Sequence, residues 1–389
     1  MDESRDVLVS GWRFILHSYA VATQFLCLEL LRRAPGIRLF FEDRPYHLPS
    51  WRASTGLFGA DDEASLRSIP PPAAHLKPDA ELRIAYPYDL SLPARAHSTV
   101  VFGTAEFLDV PPGYIAGGVA VGEAQRASGV TLLAPSNWSK QGFVRGGVPD
   151  DCVAVVPLGF DPAIFRPATR ERRAQIRIEL GFAPEEFIFL HAGAMTSNKG
   201  LRFLLPAFAE LLRLRPQVRL VLKGADGLYP SRMHLDSQLA ELPPGMAQKV
   251  LGRLTYLDQQ LSFAEMARLY QASDCYVSSY VAEGFNMPVL EAAACGLPLI
   301  CTAGGPTDDF VADAFALRIR SSLQTLGVPD QPAAKGLIPE LPHLVELMLR
   351  MTDDAAFRAS ARAAGPKWMA ERFTWSKVVD RLLPVLLPG

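Results

Sequence analysis

Short apolar runs alternate with amphipathic stretches along nearly the whole chain. That rhythm predicts α/β layers built on mostly parallel sheets. In the first half, runs 6–14, 37–41, 82–86, 99–102 and 130–134 predict strands, and residues 20–33 repeat their apolar positions at helical spacing. Residues 44–78 are rich in Pro, Ser and Ala and read as irregular loop with one helix. A further strand is expected at 153–157, followed by the turn-rich connector 159–167, where the domain boundary is placed. Beyond it, strands are expected at 187–192, 218–223, 249–252, 275–279 and 297–301. Helices at 201–215, 263–272 and 288–295 lie between them. Each half thus reads as a doubly wound α/β domain, and two such domains facing each other enclose a cleft.

A length of 389 residues suits two domains, each burying its own core. Composition sharpens this: 49% hydrophobic and 21% charged residues mark globular material. A formal net charge of -2 with no long basic run gives nucleic-acid binding little electrostatic support. The most basic stretch, Arg170, Arg172, Arg173 and Arg177, reads as a solvated helix face. The five cysteines, Cys27, Cys152, Cys275, Cys295 and Cys301, form no CxxC pair and read as reduced residues of a cytoplasmic protein. The seven histidines are scattered, so no metal-ligand spacing appears. Residues 1–6 are acidic and precede no signal-like apolar stretch. No apolar run is long enough to span a membrane. Peripheral contact with the inner face of the membrane stays compatible with the sequence.

The most informative segment runs Glu-Gly-Phe-Asn-Met-Pro-Val-Leu-Glu from Glu283 to Glu291. It follows an apolar strand and opens a helix, with Asn286 placed to cap it and Pro288 suited to its first turn. Free backbone N–H groups around Phe285 to Val289 at such a helix start can cradle a diphosphate, and Gly284, Phe285, Asn286 and Met287 are donor-binding candidates. Glu291 is then placed to accept hydrogen bonds from ribose hydroxyls, and Glu283 from hydroxyls of a transferred sugar. A lone glutamate here would simply favour the positive helix end, so the weight rests on the whole pattern and its flanks.

This segment resembles the E-x7-E motif of the retaining group 1 glycosyltransferases of family four. Val155-Val-Pro-Leu-Gly-Phe-Asp161 resembles the family's lead into its second domain, and His191-Ala-Gly-Ala-Met-Thr-Ser-Asn-Lys-Gly200 that domain's first loop. Gly296-Leu-Pro-Leu-Ile300, Gly304-Gly305 and Phe373-Thr-Trp375 follow in the family's order. The likeness covers roughly residues 130–385; the first 130 match in rhythm only. It implies a GT-B fold: an acceptor-side Rossmann-like domain at 1–165, a nucleotide-sugar domain at 166–365, and a C-terminal helix at 366–389 packing back towards the first. It implies metal-independent hexosyl transfer from a nucleotide sugar to an acceptor glycan, lipid or protein, with retention of configuration.

By resemblance, Lys199 contacts the donor diphosphate and, with Glu283, forms the catalytic pair. The family usually carries an arginine a few residues before that lysine; here Ala194-Met195-Thr196 stand there instead. Lys223, closing a strand, is either the second cation or a structural residue. Backbone with Thr196, Ser197 or Asn198 is the other way to hold the phosphate. On the acceptor side, the family's glycine-rich first loop is replaced by one offering His17, Ser18 and Tyr19. Thr104 and Glu106 end another strand nearby, and Asp43, Tyr86 and Asp89 are weaker candidates. Gly304 and Gly305 permit close backbone approach to donor or acceptor, or simply make a tight turn. Three other readings compete: a non-catalytic GT-B protein that binds a nucleotide or sugar and regulates a partner, an inverting GT-B enzyme, and a dinucleotide-dependent oxidoreductase. No GxGxxG follows a strand, which disfavours the last.

Overall fold

The computed structural model describes residues 4–33, 35–91, 95–328 and 331–388. Residues 1–3 of the acidic amino-terminal stretch thus lie outside the described residues. The chain divides into two compact units. The first comprises Met1–Asp161, Thr325–Lys335 and Phe373–Gly389; the second comprises Pro162–Gln324 and Gly336–Arg372.

In the first unit, strands β1 (Arg5–Gly11), β2 (Ile37–Asp43), β3 (Ala80–Ile84), β4 (Ser98–Phe102), β5 (Thr131–Ala134) and β6 (Val153–Val155) form one sheet. Its order is β2-β1-β3-β4-β5-β6, with every pair parallel. Parallel pairing requires crossovers, and these supply the covering helices. Helix Ser18–Leu31 is buried over twelve of its fourteen residues, so it reads as core rather than as an amphipathic surface helix. The C-terminal helix Trp375–Leu386 packs in the same unit, with Trp375 stacked on Phe25 at 5.5 Å. The expected 44–78 loop carries one helix, Ala60–Ser68.

In the second unit, β7 (Phe187–Ala192), β8 (Val218–Lys223), β9 (Leu254–Leu257), β10 (Cys275–Ser278), β11 (Leu299–Thr302) and β12 (Ala316–Ile319) pair in the order β12-β11-β10-β7-β8-β9. A separate ribbon joins β13 (Ser321–Thr325) to β14 (Lys335–Pro339). The core collects Phe189, Leu220 and Leu222 from the strands with Leu204, Leu205 and Phe208 from helix Leu201–Leu214. These runs alternate apolar strand with amphipathic helix, so both faces of the sheet are covered.

Two sequence expectations change. The strand at 249–252 is instead the end of helix Pro244–Leu251, and β9 follows it. Pro244 at the first helical position and buried Val250 start and dock that helix. The arginine cluster is only partly solvated. Arg177 is 6% exposed and bonds Asp274 at 3.0 Å and the carbonyls of Ala183 and Glu186. Arg173 also bonds Asp274, so the helix face is stapled to the start of β10. All five cysteines are free, and four are buried. No helix among the described residues is long and apolar enough to cross a membrane.

Candidate active site

The expected residues of the second unit gather at the carboxyl edge of its sheet. Neighbouring parallel strands β10, β7 and β8 end there, so the loops after them emerge together. After β7 the chain turns through Gly193 and buried Met195, makes a single 3₁₀ turn at Ser197–Lys199, and enters helix Leu201–Leu214 through Gly200. Gly200 has φ +74°, and a Cβ there would lie 1.8 Å from the Ser279 carbonyl oxygen. Only glycine lets this turn rest directly on the end of β10.

Asn198 makes the junction. Its carbonyl accepts from the N–H of Val281 at 2.7 Å and of Ala282 at 3.3 Å. Its Nδ2 donates to the Ala282 carbonyl at 3.1 Å, and its Oδ1 accepts from the Thr196 hydroxyl at 2.6 Å. The Ser279 hydroxyl closes the contact on the Gly200 carbonyl at 3.0 Å. Lys199 is thereby carried to the loop before helix Met287–Ala294, where its Nζ donates to Glu283 Oε1 at 2.8 Å. The two side chains are 18% and 10% exposed, so the pair is largely withdrawn from water yet accessible. A pair in that position carries a desolvation cost that good geometry must offset.

Asn286 sits at the amino end of its helix, as expected, but does not cap it. It adopts the left-handed conformation at φ +80°, and its Nδ2 donates to the Ser278 hydroxyl at 2.9 Å. Asn286 thus makes no side-chain cap bond to its helix. Phe285 turns into the core against the Phe310 ring at 4.8 Å, and Met287 is buried beside it. Gly284 joins them to Glu283.

Glu291 lies one turn into the helix and is 8% exposed. Its Oε2 accepts from the Tyr270 hydroxyl at 2.9 Å. Burial pushes its carboxyl up to about 8, against the lowering effect of the tyrosine. Nothing in the sequence signals Tyr270, because a tyrosine on an apolar helix face reads as core. His191, on β7, was quoted only as part of a motif. It is 1% exposed, and its Nδ1 lies 2.8 Å from the Val277 carbonyl, which fixes the proton on Nδ1. Burial, reinforced by the charge of Lys199, lowers it to about 4.

Other expected residues of this unit make separate contacts. Lys223 closes β8 beside Ala192, is 5% exposed, and donates to the Gly224 carbonyl. Burial lowers its affinity for a proton. Gly304 has φ +86° and donates its N–H to Asp308 at 2.7 Å. A Cβ on Gly305 would meet the Tyr280 hydroxyl at 2.6 Å, so this glycine serves close packing within the second unit.

In the first unit, His17 caps helix Ser18–Leu31 by accepting from the Tyr19 N–H at 3.1 Å. Its ring packs at 5.1 Å from both Trp12 and Trp51. Tyr19 is buried, and its hydroxyl meets that of Tyr88 at 2.8 Å and that of Thr104 at 3.0 Å. The first turn of helix Ser18–Leu31 is thus joined to the loops after β3 and β4. Ser18 is exposed, and the Glu106 carbonyl accepts from the Trp138 indole at 2.8 Å. Asp43 pairs with Arg13. Among the described residues, no group of three His, Cys, Asp or Glu side chains is arranged to hold a metal.

Residues 172–321 match the family of glycosyl transferases group 1. That segment contains every residue expected on the donor side. A GDP-mannose-dependent mannosyltransferase of Corynebacterium glutamicum, acting on a monoacylated phosphatidylinositol monomannoside, is 27% identical over 59% of this chain and 55% of its own length. D-inositol 3-phosphate glycosyltransferase 1 of Catenulispora acidiphila is 29% identical over 71% of this chain and 60% of its own length. The chain spans about half the length of the curated relatives it matches. The crystal structure of Anabaena HepE with UDP and glucose aligns over 99% of this chain and all of that one, with a TM-score of 0.69 and 15% identity. The two six-stranded parallel sheets are therefore those of the GT-B fold.

Proposed function

We propose that the chain transfers a hexose from a nucleotide-sugar donor to an acceptor hydroxyl, with retention of anomeric configuration and without a metal ion. One observation carries the reading most. Lys199 and Glu283, 84 residues apart in sequence, touch in the loop that leads into helix Met287–Ala294. In transfer, negative charge grows on the departing nucleoside diphosphate while the sugar becomes cationic. The ammonium of Lys199 and the helix pole then stabilise the leaving group, which is the work a divalent ion does in other enzymes. Glu283 holds Lys199 in place before the donor arrives and then receives hydroxyls of the bound sugar. Glu291 accepts from the ribose, with Tyr270 orienting its carboxyl group. The acceptor is a glycan, lipid or protein hydroxyl presented by the first unit, where His17, Tyr19 and Thr104 are joined. The relatives' names support a sugar donor and a lipid-linked or glycan acceptor, and cytoplasmic location fits that role.

The decisive experiment incubates the full chain with UDP- and GDP-sugars plus candidate acceptors, with and without EDTA. Release of nucleoside diphosphate, an α-anomer from an α-donor by NMR, and insensitivity to EDTA are expected. Failure of every donor to turn over, with nucleotide binding intact, would favour a second reading. The chain would then be a sugar-nucleotide-binding regulator, a reading that draws on the alanine, methionine and threonine standing at 194–196 where the family carries an arginine.

A further inference from the structure

We infer that the second unit binds a phosphoryl dianion at the amino edge of its sheet, between Arg173 and Arg362 over the turn that enters β10. The site does not depend on the transferase reading. Helix Arg170–Glu179 supplies Arg173, and helix Ala355–Arg372 supplies Arg362. Their Nη2 atoms share two neighbours. Both donate to the Ser273 carbonyl, at 3.1 and 3.2 Å, and both stand near Asp274 Oδ1, at 2.5 and 3.6 Å. Two guanidinium forks from different helices therefore lie side by side over one turn of chain.

Charge decides what can sit there. Arg177 reaches the same carboxylate at 3.0 Å. Among the described residues, Asp274 is the one carboxylate that any of these three arginines pairs with. They also cover the carbonyls of Gln271, Ala272 and Ser273, where helix Phe263–Ala272 ends. That helix pole carries about half a negative charge, so three positive charges meet about one and a half negative ones and an anion is favoured. The surplus is felt within the cluster. Burial, reinforced by the charges of Arg173 and Arg358, lowers Arg362 to about 10.

Hydrogen bonding separates the staple from the site. Arg177 is buried, and its Nη atoms are spent on Asp274 and on the carbonyls of Ala272, Ala183 and Glu186. Arg173 and Arg362 keep side chains 27% and 32% exposed. Arg173 Nη1 and Arg362 Nε and Nη1 take no hydrogen bond among the described residues. A guanidinium presents its donors as a planar fork that matches phosphate oxygens two at a time. Two such forks with spare donors and surplus charge suit a compact tetrahedral dianion better than a carboxylate, which brings one charge and two oxygens. Asp274 ties the site to the sheet. Its Oδ2 accepts from the Ile188 N–H at 2.9 Å, so the turn holds the amino ends of β7 and β10 together.

The test is thermal melting and titration calorimetry on the full chain, with inorganic phosphate as probe and chloride at equal ionic strength as comparator. Phosphate should bind saturably and raise the melting temperature, and chloride should not. Binding should persist in Lys199→Ala, which excludes the proposed diphosphate site as its source. Arg362→Gln and Arg173→Gln should each weaken phosphate by about tenfold, the loss of one charge-assisted fork. Arg362→Gln leaves Asp274 paired with Arg173 and Arg177, so its melting without phosphate should match wild type. Arg362→Lys keeps the charge but not the fork and should weaken binding about threefold. Phosphatidylcholine vesicles with and without phosphatidic acid separate the two sources of the group. Cosedimentation that needs both phosphatidic acid and Arg362 assigns a lipid headgroup; phosphate binding without it assigns a free phosphorylated molecule. No phosphate binding beyond that lost in Lys199→Ala, equal stabilisation by chloride, or unchanged affinity in the folded Arg362 variants would overturn the site.

Discussion

At the residue scale, three ionisable groups of the second unit set testable behaviour. Lys199→Ala removes a charge-assisted bond from the proposed diphosphate site. Nucleoside diphosphate affinity should fall by about tenfold or more, equivalent to ~1.5–3 kcal/mol, in titration calorimetry, with circular dichroism unchanged. Equal affinity in the variant would remove Lys199 from the site. Glu291 and His191 act on stability with opposite signs. The folded carboxyl of Glu291 is raised to about 8 by burial, so the native state holds its proton more tightly than the unfolded chain does. Its contribution is full below the usual carboxylate range and is lost as pH rises through 8. Glu291→Gln should therefore melt progressively higher than wild type as pH climbs from 5 to 9, the gap growing to the order of a few kcal/mol. The folded imidazole of His191 is lowered to about 4 by burial. Its contribution is full above about 6.5 and is lost as pH falls towards 4, so His191→Gln should flatten the acid limb of the same melting profile. Family resemblance names Lys199, Glu283 and Glu291 as donor-side candidates, and the fold brings the first two into contact. Sequence pattern could not reach Tyr270 or His191 as partners, because their meaning lies in what they touch across the sheet.

At the scale of elements, the site is a contact between two loops. Gly200 rests on Ser279, and Asn198 bonds the backbone of Val281 and Ala282, so the turn after β7 and the loop after β10 move as one piece. Gly200→Ala would force a Cβ into the Ser279 carbonyl and into a left-handed conformation at once. A loss of about 2–4 kcal/mol in denaturant unfolding is expected, with weaker diphosphate binding in whatever remains folded. Asn198→Ala should keep the fold and lower diphosphate affinity by less than Lys199→Ala does, because it loosens the ammonium without removing it. Element identity followed apolar periodicity closely for β7, β8 and helix Phe263–Ala272. It failed at 249–252, where Val250 and Leu251 looked like a short buried strand and the helix start at Pro244 went unread. Periodicity cannot separate four apolar-leaning residues of strand from the last turn of a helix.

At the scale of the whole molecule, a specific nucleotide sugar should raise the melting temperature by linkage. The stabilisation reaches about 2.7 kcal/mol at a hundredfold excess over Kd. Lys199→Ala should suppress most of that shift, whereas Arg44→Ala should leave it intact, because the two residues belong to different units. By itself the amino-acid order determined the α/β alternation and the two doubly wound halves, and it carries the resemblance on which Glu283, Glu291 and Lys199 are proposed as chemistry. Those features are local: period, turn residues and helix starts act over a few neighbours. Only tertiary structure decided that Lys199 meets Glu283, that Arg177 is stapled rather than solvated, and that Glu291 meets Tyr270. Each of these depends on which strands lie side by side, and strand order comes from how the helices cover the sheet rather than from any short stretch of chain.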